Sequence, residues 1–162
     1  MLYLIPAPLH RQGLRLAHAV RLRWWRIRRP SLAGVRVLAL DAEGRVLLIR
    51  HSYGSGSWML PGGGMARGES PVDAGARELV EETACRLAAP FQIAISDEDL
   101  RGAANRVHIV CGLTADTPRP DGREVIEAAF FAPHALPHPL ARGLAEPLAA
   151  WITAATAGDR QG

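Results

Sequence analysis

The chain has 162 residues, 48% of them hydrophobic, with two cysteines and no lysine. That length supports one domain with a real core. Two cysteines without a CxxC pair exclude a disulfide framework and suit a reduced, cytoplasmic setting, and the missing lysine excludes a Walker A phosphate loop. Charge is unevenly placed: residues 1–30 carry seven of the nineteen arginines and no acid, giving +7, whereas residues 31–162 carry twelve arginines against sixteen acids, giving −4.

Residues 1–30 read as an extension. After the apolar start MLYLIPAPL, Leu16, Val20, Trp24 and Ile27 recur at helical spacing among arginines. This predicts a basic amphipathic helix from about Gln12 to Arg28, stopped by Pro30. Three readings stand. The helix packs on the domain or on a second subunit in a homodimer. It lies on an anionic membrane surface with Trp24 and Trp25 at the interface. Or residues 11–29 bind nucleic acid or another polyanion. An arginine-rich, acid-free leader is also the composition of an organelle transit peptide. No apolar run reaches the ~18 residues of a membrane span, so the expected location is cytoplasmic, with peripheral membrane attachment as the alternative.

Gly34 to Leu40 alternates toward a buried strand, Asp41 to Gly44 is a turn, and Arg45 to Arg50 is the paired strand. His51 to Ser57 reads as a loop. Trp58-Met59-Leu60 leads into a stretch with a different character, LPGGGMARGESPVDAGARELVEETAC from Leu60 to Cys85.

Pro61 fixes φ, and Gly62, Gly63 and Gly64 let another group approach the backbone. Ser70 is a good N-cap, Pro71 suits the first helical position, and Asp73 completes a variant capping box. Along the helix, Val72, Ala76, Leu79, Val80 and Thr83 fall within roughly a 100° arc, the expected core face. Glu78, Glu81 and Glu82 fall roughly opposite. Like charges at this spacing cost about 0.2–0.5 kcal/mol per pair, and the second half of a helix disfavours anions. A solvated acidic face is the plain reading. A bound cation resolves both conflicts, and carboxylate oxygens suit hard Mg²⁺ or Mn²⁺.

Beyond Cys85, a strand is expected around Phe91 to Ile95, a polar loop from Ser96 to Ala104 and a strand from Asn105 to Leu113. A turn-rich connection covers Thr114 to Gly122. An apolar strand follows from Glu124 to Phe131, then a helix from Leu140 to Ala155 with Pro147 as a local break. His134 and His138 lie among prolines without a glutamate between them, which argues against a zinc pair.

Gly63, Glu69, Arg77-Glu78-Leu79, Glu81-Glu82 and Cys85 resemble the Nudix box, G-x5-E-x7-R-E-U-x-E-E-x-G-U, with U a bulky aliphatic residue. Eight of its nine fixed positions are met if Cys85 counts as the last; Ala84 stands where the family has glycine. The resemblance implies an α/β/α sandwich with a mixed central β-sheet over residues 31–155, preceded by the basic helix of residues 1–30 and followed by a short tail at 156–162. It implies divalent-metal-dependent hydrolysis of a diphosphate bond in a nucleoside diphosphate linked to another moiety. Glu78, Glu81 and Glu82 become metal ligands, joined by the Gly63 carbonyl. Glu82, Glu81 or Glu124 takes a proton from water. Arg77 resembles the arginine that ties helix to loop, with Glu69 its partner.

Around that box, Arg50 is read as reaching a phosphate or as a strand-end surface residue. Tyr53 stacks on a base or packs. Glu124 and Glu127 supply an extra carboxylate or are edge-strand acids. Leu100 to Ala103 lacks the proline or tyrosine that marks some subfamilies, so an oxidised nucleotide, a sugar nucleotide and a capped RNA 5′ end all stay open. A Nudix-fold module that binds nucleotide without turnover is the alternative, against which the intact acids argue.

Overall fold

The computed structural model describes residues 32–100 and 103–158. The expected basic helix from Gln12 to Arg28 lies outside them. Five strands and two helices follow in order: β1 (Leu32–Leu40), β2 (Val46–His51), α1 (Pro71–Thr83), β3 (Ala88–Leu100), β4 (Ala103–Leu113), β5 (Val125–Phe131) and α2 (Ala145–Gly158). The strands form one sheet in the order β3-β4-β1-β2-β5. β1 runs parallel to β4, and the other pairs are antiparallel, so the sheet is mixed.

The two faces of the sheet are packed by different helices because side chains alternate along a strand. Val37, Ala39 and Leu47 pack with Leu79 and Cys85 on the α1 face. Leu38, Leu40, Val46 and Leu48 pack with Leu144, Leu148 and Ala155 on the α2 face. This is why β1 reads as almost continuously apolar: it is covered from both sides. The turn between β1 and β2 is built on Asp41, whose Oδ1 accepts the N–H groups of Glu43 and Arg45 at 3.1 and 2.8 Å. Gly44 supplies the positive φ of 72°. Cys85 and Cys111 are free and buried.

β1 and β2 are directly paired only at Leu40 and Val46. Beyond that point the chain from Met59 to Met65 is wedged between them. On one side, Pro61 and Gly63 carbonyls accept the N–H groups of Val37 and Val35 at 2.8 and 2.9 Å, and Met65 donates to Ala33. On the other, Met59 and Ile49 exchange both backbone hydrogen bonds. The wedge explains a glycine: a Cβ at Gly62 would lie 2.1 Å from the Val35 carbonyl oxygen, and φ there is +146°.

Two expectations are corrected. The segment from Ser96 to Ala104 is not a polar loop: β3 continues to Leu100 and β4 begins at Ala103, with Asp97 opposite Arg106 and Leu100 opposite Ala103. Backbone pairing of this kind needs no apolar pattern, and Ile95 is 54% exposed. Nor does the last helix start at Leu140 and break at Pro147. It starts at Ala145 and holds Pro147 in its first turn, where a missing N–H costs no intrahelical bond. Before it, Trp58 donates to the Pro139 carbonyl and accepts from the Ala141 N–H, at 2.8 and 2.7 Å.

Candidate active site

Helix α1 is set at both ends. The Ser70 hydroxyl accepts the Asp73 N–H at 3.1 Å, and Pro71 occupies the first turn. At the other end Ala84 takes the left-handed conformation, φ 59°, and its N–H donates to the Val80 carbonyl at 2.9 Å. The helix therefore ends as it would with glycine there, at a backbone position L residues resist.

The helix is rotated relative to the expected core face. Val80 is 43% exposed, while Ala74, Gly75, Leu79, Thr83 and Glu82 are buried, Glu82 to 8%. Small residues make this possible: a Cβ at Gly75 would sit 3.2 Å from Val110, so the helix lies tightly against the sheet. The rotation carries Glu78 and Glu82 away from open solvent and onto the glycine wedge.

Glu82 Oε2 accepts the Gly62 N–H at 2.8 Å. Its Oε1 lies 3.6 Å from His51 Nε2, with both side chains nearly buried. Burial above all, with the charges of Glu78 and Glu124 adding, pushes the Glu82 carboxyl up to about 8; the Gly62 N–H and Arg36 oppose the shift. The Glu78 carboxylate lies directly against Gly63, where a Cβ would be 2.6 Å from it. Burial raises its pKa, opposed by Arg77 and aided by Glu81 and Glu124. Glu81 sits at the rim, its side chain 59% exposed and 3.6 Å from Arg77 Nη1.

Arg77 spans the rest. Its Nε and Nη2 donate to the two oxygens of Glu69 at 2.8 and 3.0 Å. Nη2 also donates to the Gly64 carbonyl at 3.1 Å, and Nη1 to Glu78 at 2.8 Å. Glu69 in turn accepts the Ala66 N–H at 2.8 Å. Arg77 foremost, and then that N–H, hold the Glu69 carboxyl down to about 2. Arg77 and Glu69 thus join the helix to the loop between the wedge and the N-cap.

The substrate-binding candidates separate into two groups. Tyr53 donates its hydroxyl to Glu124 Oε1 at 2.6 Å, on the side of the glutamates. Arg50 pairs with Glu127, its partner across β2 and β5. Its guanidinium lies 5.7 Å above the Trp58 ring, which meets Phe131 edge-on. Trp58 and Phe131 pack on the α2 face, so Arg50 and Glu127 are on the opposite side of the sheet from Glu78 and Glu82. His51 was not singled out by the sequence reading. The available signal was alternation, since Leu47, Ile49 and His51 share one face. Arg36 lies outside the box motif and has no signal there, whereas Gly62 belongs to the glycine run expected to admit a close approach.

Among the described residues no three His, Cys, Asp or Glu side chains already close around a metal-sized centre. The donor chemistry nonetheless fits a hard divalent ion. Glu82 is a buried oxygen donor whose proton affinity the charge of partly buried Glu78 raises, and Glu78 lies beside a glycine that leaves room for its carboxylate.

Residues 30–152 match the model of the NUDIX domain. A curated relative, the RNA pyrophosphohydrolase of Bartonella bacilliformis, is 40% identical over 65 residues, which cover 35% of this chain and 38% of that protein. The matched part is well under half of that relative's length. A MutT NUDIX hydrolase from Burkholderia pseudomallei superposes with a TM-score of 0.63 at 25% identity, covering 69% of this chain and 91% of that one. A UDP-X diphosphatase superposes with a TM-score of 0.62 at 26% identity, covering 80% and 64%. The mixed sheet with a helix on each face is the α/β/α sandwich of these neighbours.

Proposed function

The chain belongs to the NUDIX family, and from that premise we propose that it hydrolyses a diphosphate bond in a nucleoside diphosphate linked to another moiety, with Mg²⁺ or Mn²⁺ as cofactor. One observation carries the reading: Glu82 is buried beside Glu78 on the Gly62-Gly63 wedge, at a cost that a cation relieves. The names of two relatives, a pyrophosphohydrolase and a diphosphatase, support the bond cleaved. They point to different partners for the nucleotide, an RNA end and a UDP derivative.

In this reading Glu78, Glu81 and Glu82 hold the cation with the Gly63 carbonyl, which already accepts the Val35 N–H and keeps a second lone pair. The cation, when bound, neutralises phosphate oxygens and lowers the pKa of a coordinated water. Glu82, Glu81 or Glu124 accepts the proton of the attacking water. Arg77 fixes the direction of Glu78 and, through Glu69, the loop beside it. Its loss disorders the ligands more than it removes a reacting group.

The test is a screen of nucleoside diphosphate derivatives, including UDP-sugars and triphosphate-ended RNA, with Mg²⁺ or Mn²⁺. The wild type is compared with Glu82→Gln. Hydrolysis that needs the metal and is lost in the variant is the expected result. Tight binding of one compound with no hydrolysis of any would overturn it and identify a nucleotide-binding module.

A further inference from the structure

Three consecutive residues at the end of β2 reach two different elements. His51 Nε2 approaches Glu82 on α1 at 3.6 Å. The Ser52 N–H donates to the Glu124 carbonyl at 2.9 Å. The Tyr53 hydroxyl donates to the Glu124 carboxylate at 2.6 Å. The rings of His51 and Tyr53 lie 4.9 Å apart, tilted by 30°. The pairing of β2 with β5 shifts register between Arg50 and His51, which brings this short segment alongside the start of β5.

Glu124 is held from its other side as well. Asp121 Oδ1 accepts the N–H groups of Arg123, Glu124 and Val125, each at 3.0 Å. Gly122 closes the turn by donating to the Val125 carbonyl at 2.9 Å. The backbone of Glu124 is therefore fixed in both directions. Its side chain is fixed by Tyr53.

A strand-end glutamate needs no such arrangement for folding, since a carboxylate turned toward water is fully solvated. Here it is held on the side of the other glutamates, linked to Glu82 through the Tyr53 and His51 rings, and like charges gathered on one side repel. Repulsion of that kind favours turning Glu124 away. The tyrosine hydrogen bond, to a charged acceptor and hence among the stronger ones, works against it.

We propose that Tyr53 is a positioning residue: it holds Glu124 in place as a further carboxylate facing Glu78 and Glu82, rather than touching substrate itself. The proposal rests on the metal-dependent reading above and goes beyond it in assigning how the extra acid is kept in register. Tyr53 occupies one carboxylate oxygen and leaves the other for a cation or its water. The His51–Tyr53 contact lets the same segment respond to Glu82 and Glu124 together.

The full chain is titrated with Mn²⁺, without nucleotide, and free Mn²⁺ is read by electron paramagnetic resonance. Wild type, Tyr53→Phe, Glu124→Gln and the double variant are compared, with turnover measured in parallel. Tyr53→Phe is expected to weaken Mn²⁺ binding by about tenfold, the lower end of the worth of a hydrogen bond to a charged group. It should lower kcat with KM unchanged, and the double variant should be no weaker than Glu124→Gln alone. Wild-type affinity in Tyr53→Phe, or losses that multiply in the double variant, would overturn the proposal. So would a raised KM at unchanged kcat, which marks a direct substrate contact. If no compound is hydrolysed, the proposed function fails and the Mn²⁺ titration decides this inference alone. A wild type that binds no Mn²⁺ overturns both.

Discussion

The Glu78 carboxylate occupies the space that a side chain at position 63 would need: a Cβ on Gly63 falls 2.6 Å from its carbon. The neighbouring glycine is constrained differently, by the Val35 backbone and by its own positive φ. Substitutions at the two positions should therefore part company. In Gly63→Ala the flexible end of Glu78 gives way, so stability changes by no more than about 1 kcal/mol. Turnover falls about a hundredfold, as expected when a reacting group is misplaced by about an ångström. Gly62→Ala collides with backbone and unfolds at lower denaturant. Chemical denaturation and turnover of both variants check this, and a fully active Gly63→Ala would refute it.

Glu82 sets a pH dependence with a definite sign. Its carboxyl is raised to about 8 in the folded, metal-free protein, against an ordinary value of 4.5. Between those values the folded state holds a proton that the unfolded state has lost, so metal-free stability falls as pH rises from about 4.5 to about 8. In a chelator at pH 8.5, Glu82→Gln should thus be more stable than wild type, by a few kcal/mol. The gap should close toward pH 4.5. Metal must displace the same proton, so Mg²⁺ affinity should climb with pH up to about 8 and then level off. Thermal unfolding in chelator and calorimetric Mg²⁺ titration across pH read the two effects. An affinity that ignores pH between 6 and 8 would remove the argument.

How far the sequence carried this description depends on which physics set each element. The turn at Asp41 and the N-cap at Ser70 are decided by their own few residues, and they read correctly. The α1 face did not. Apolar spacing placed Val80 inward and Glu82 outward, yet the glycine wedge offers Glu82 a backbone N–H, and Ala74 and Gly75 let the helix roll toward it. That partner comes from 20 positions away in the chain, so no local pattern contains it. Arg50 shows a related limit of local pattern. Strand alternation sends it to the Trp58 face to meet Glu127, and only the β2–β5 register brings those two together. The continuation of β3 through Ser96–Leu100 has no apolar pattern to announce it, and its backbone pairing with β4 is long-range information.

The Arg77–Glu69 pair predicts a difference between two positive charges. The guanidinium uses Nε and Nη2 on Glu69, and Nη1 on Glu78. Lysine offers a single point of attachment and cannot reproduce that fork. Arg77→Lys should therefore keep its charge and most of its stability, and lose at least tenfold in turnover. Glu69 is held down to about 2, so its contribution to stability is present above about 4.5 and is lost as pH falls toward 2. Glu69→Gln should flatten the acid limb of the stability curve over that window. Acid titrations followed by circular dichroism measure it. An unchanged acid limb would mean that the pair is not formed in solution.

Ala84 stands where the resemblance to the Nudix box leads one to expect glycine, and its backbone shows what an alanine costs there. It sits at φ 59° with its N–H bonded to the Val80 carbonyl, a conformation that glycine takes without steric penalty. An alanine in that region costs about 1 kcal/mol. Glycine there releases the strain but also gives the unfolded chain more freedom, which offsets part of the gain. The net expectation for Ala84→Gly is a stabilisation of about 0.5 kcal/mol, with turnover and Mn²⁺ affinity unchanged, because no carboxylate touches residue 84. Urea unfolding of the two proteins at neutral pH decides the sign. A destabilised Ala84→Gly would show that the methyl group is held by packing which outweighs its backbone strain.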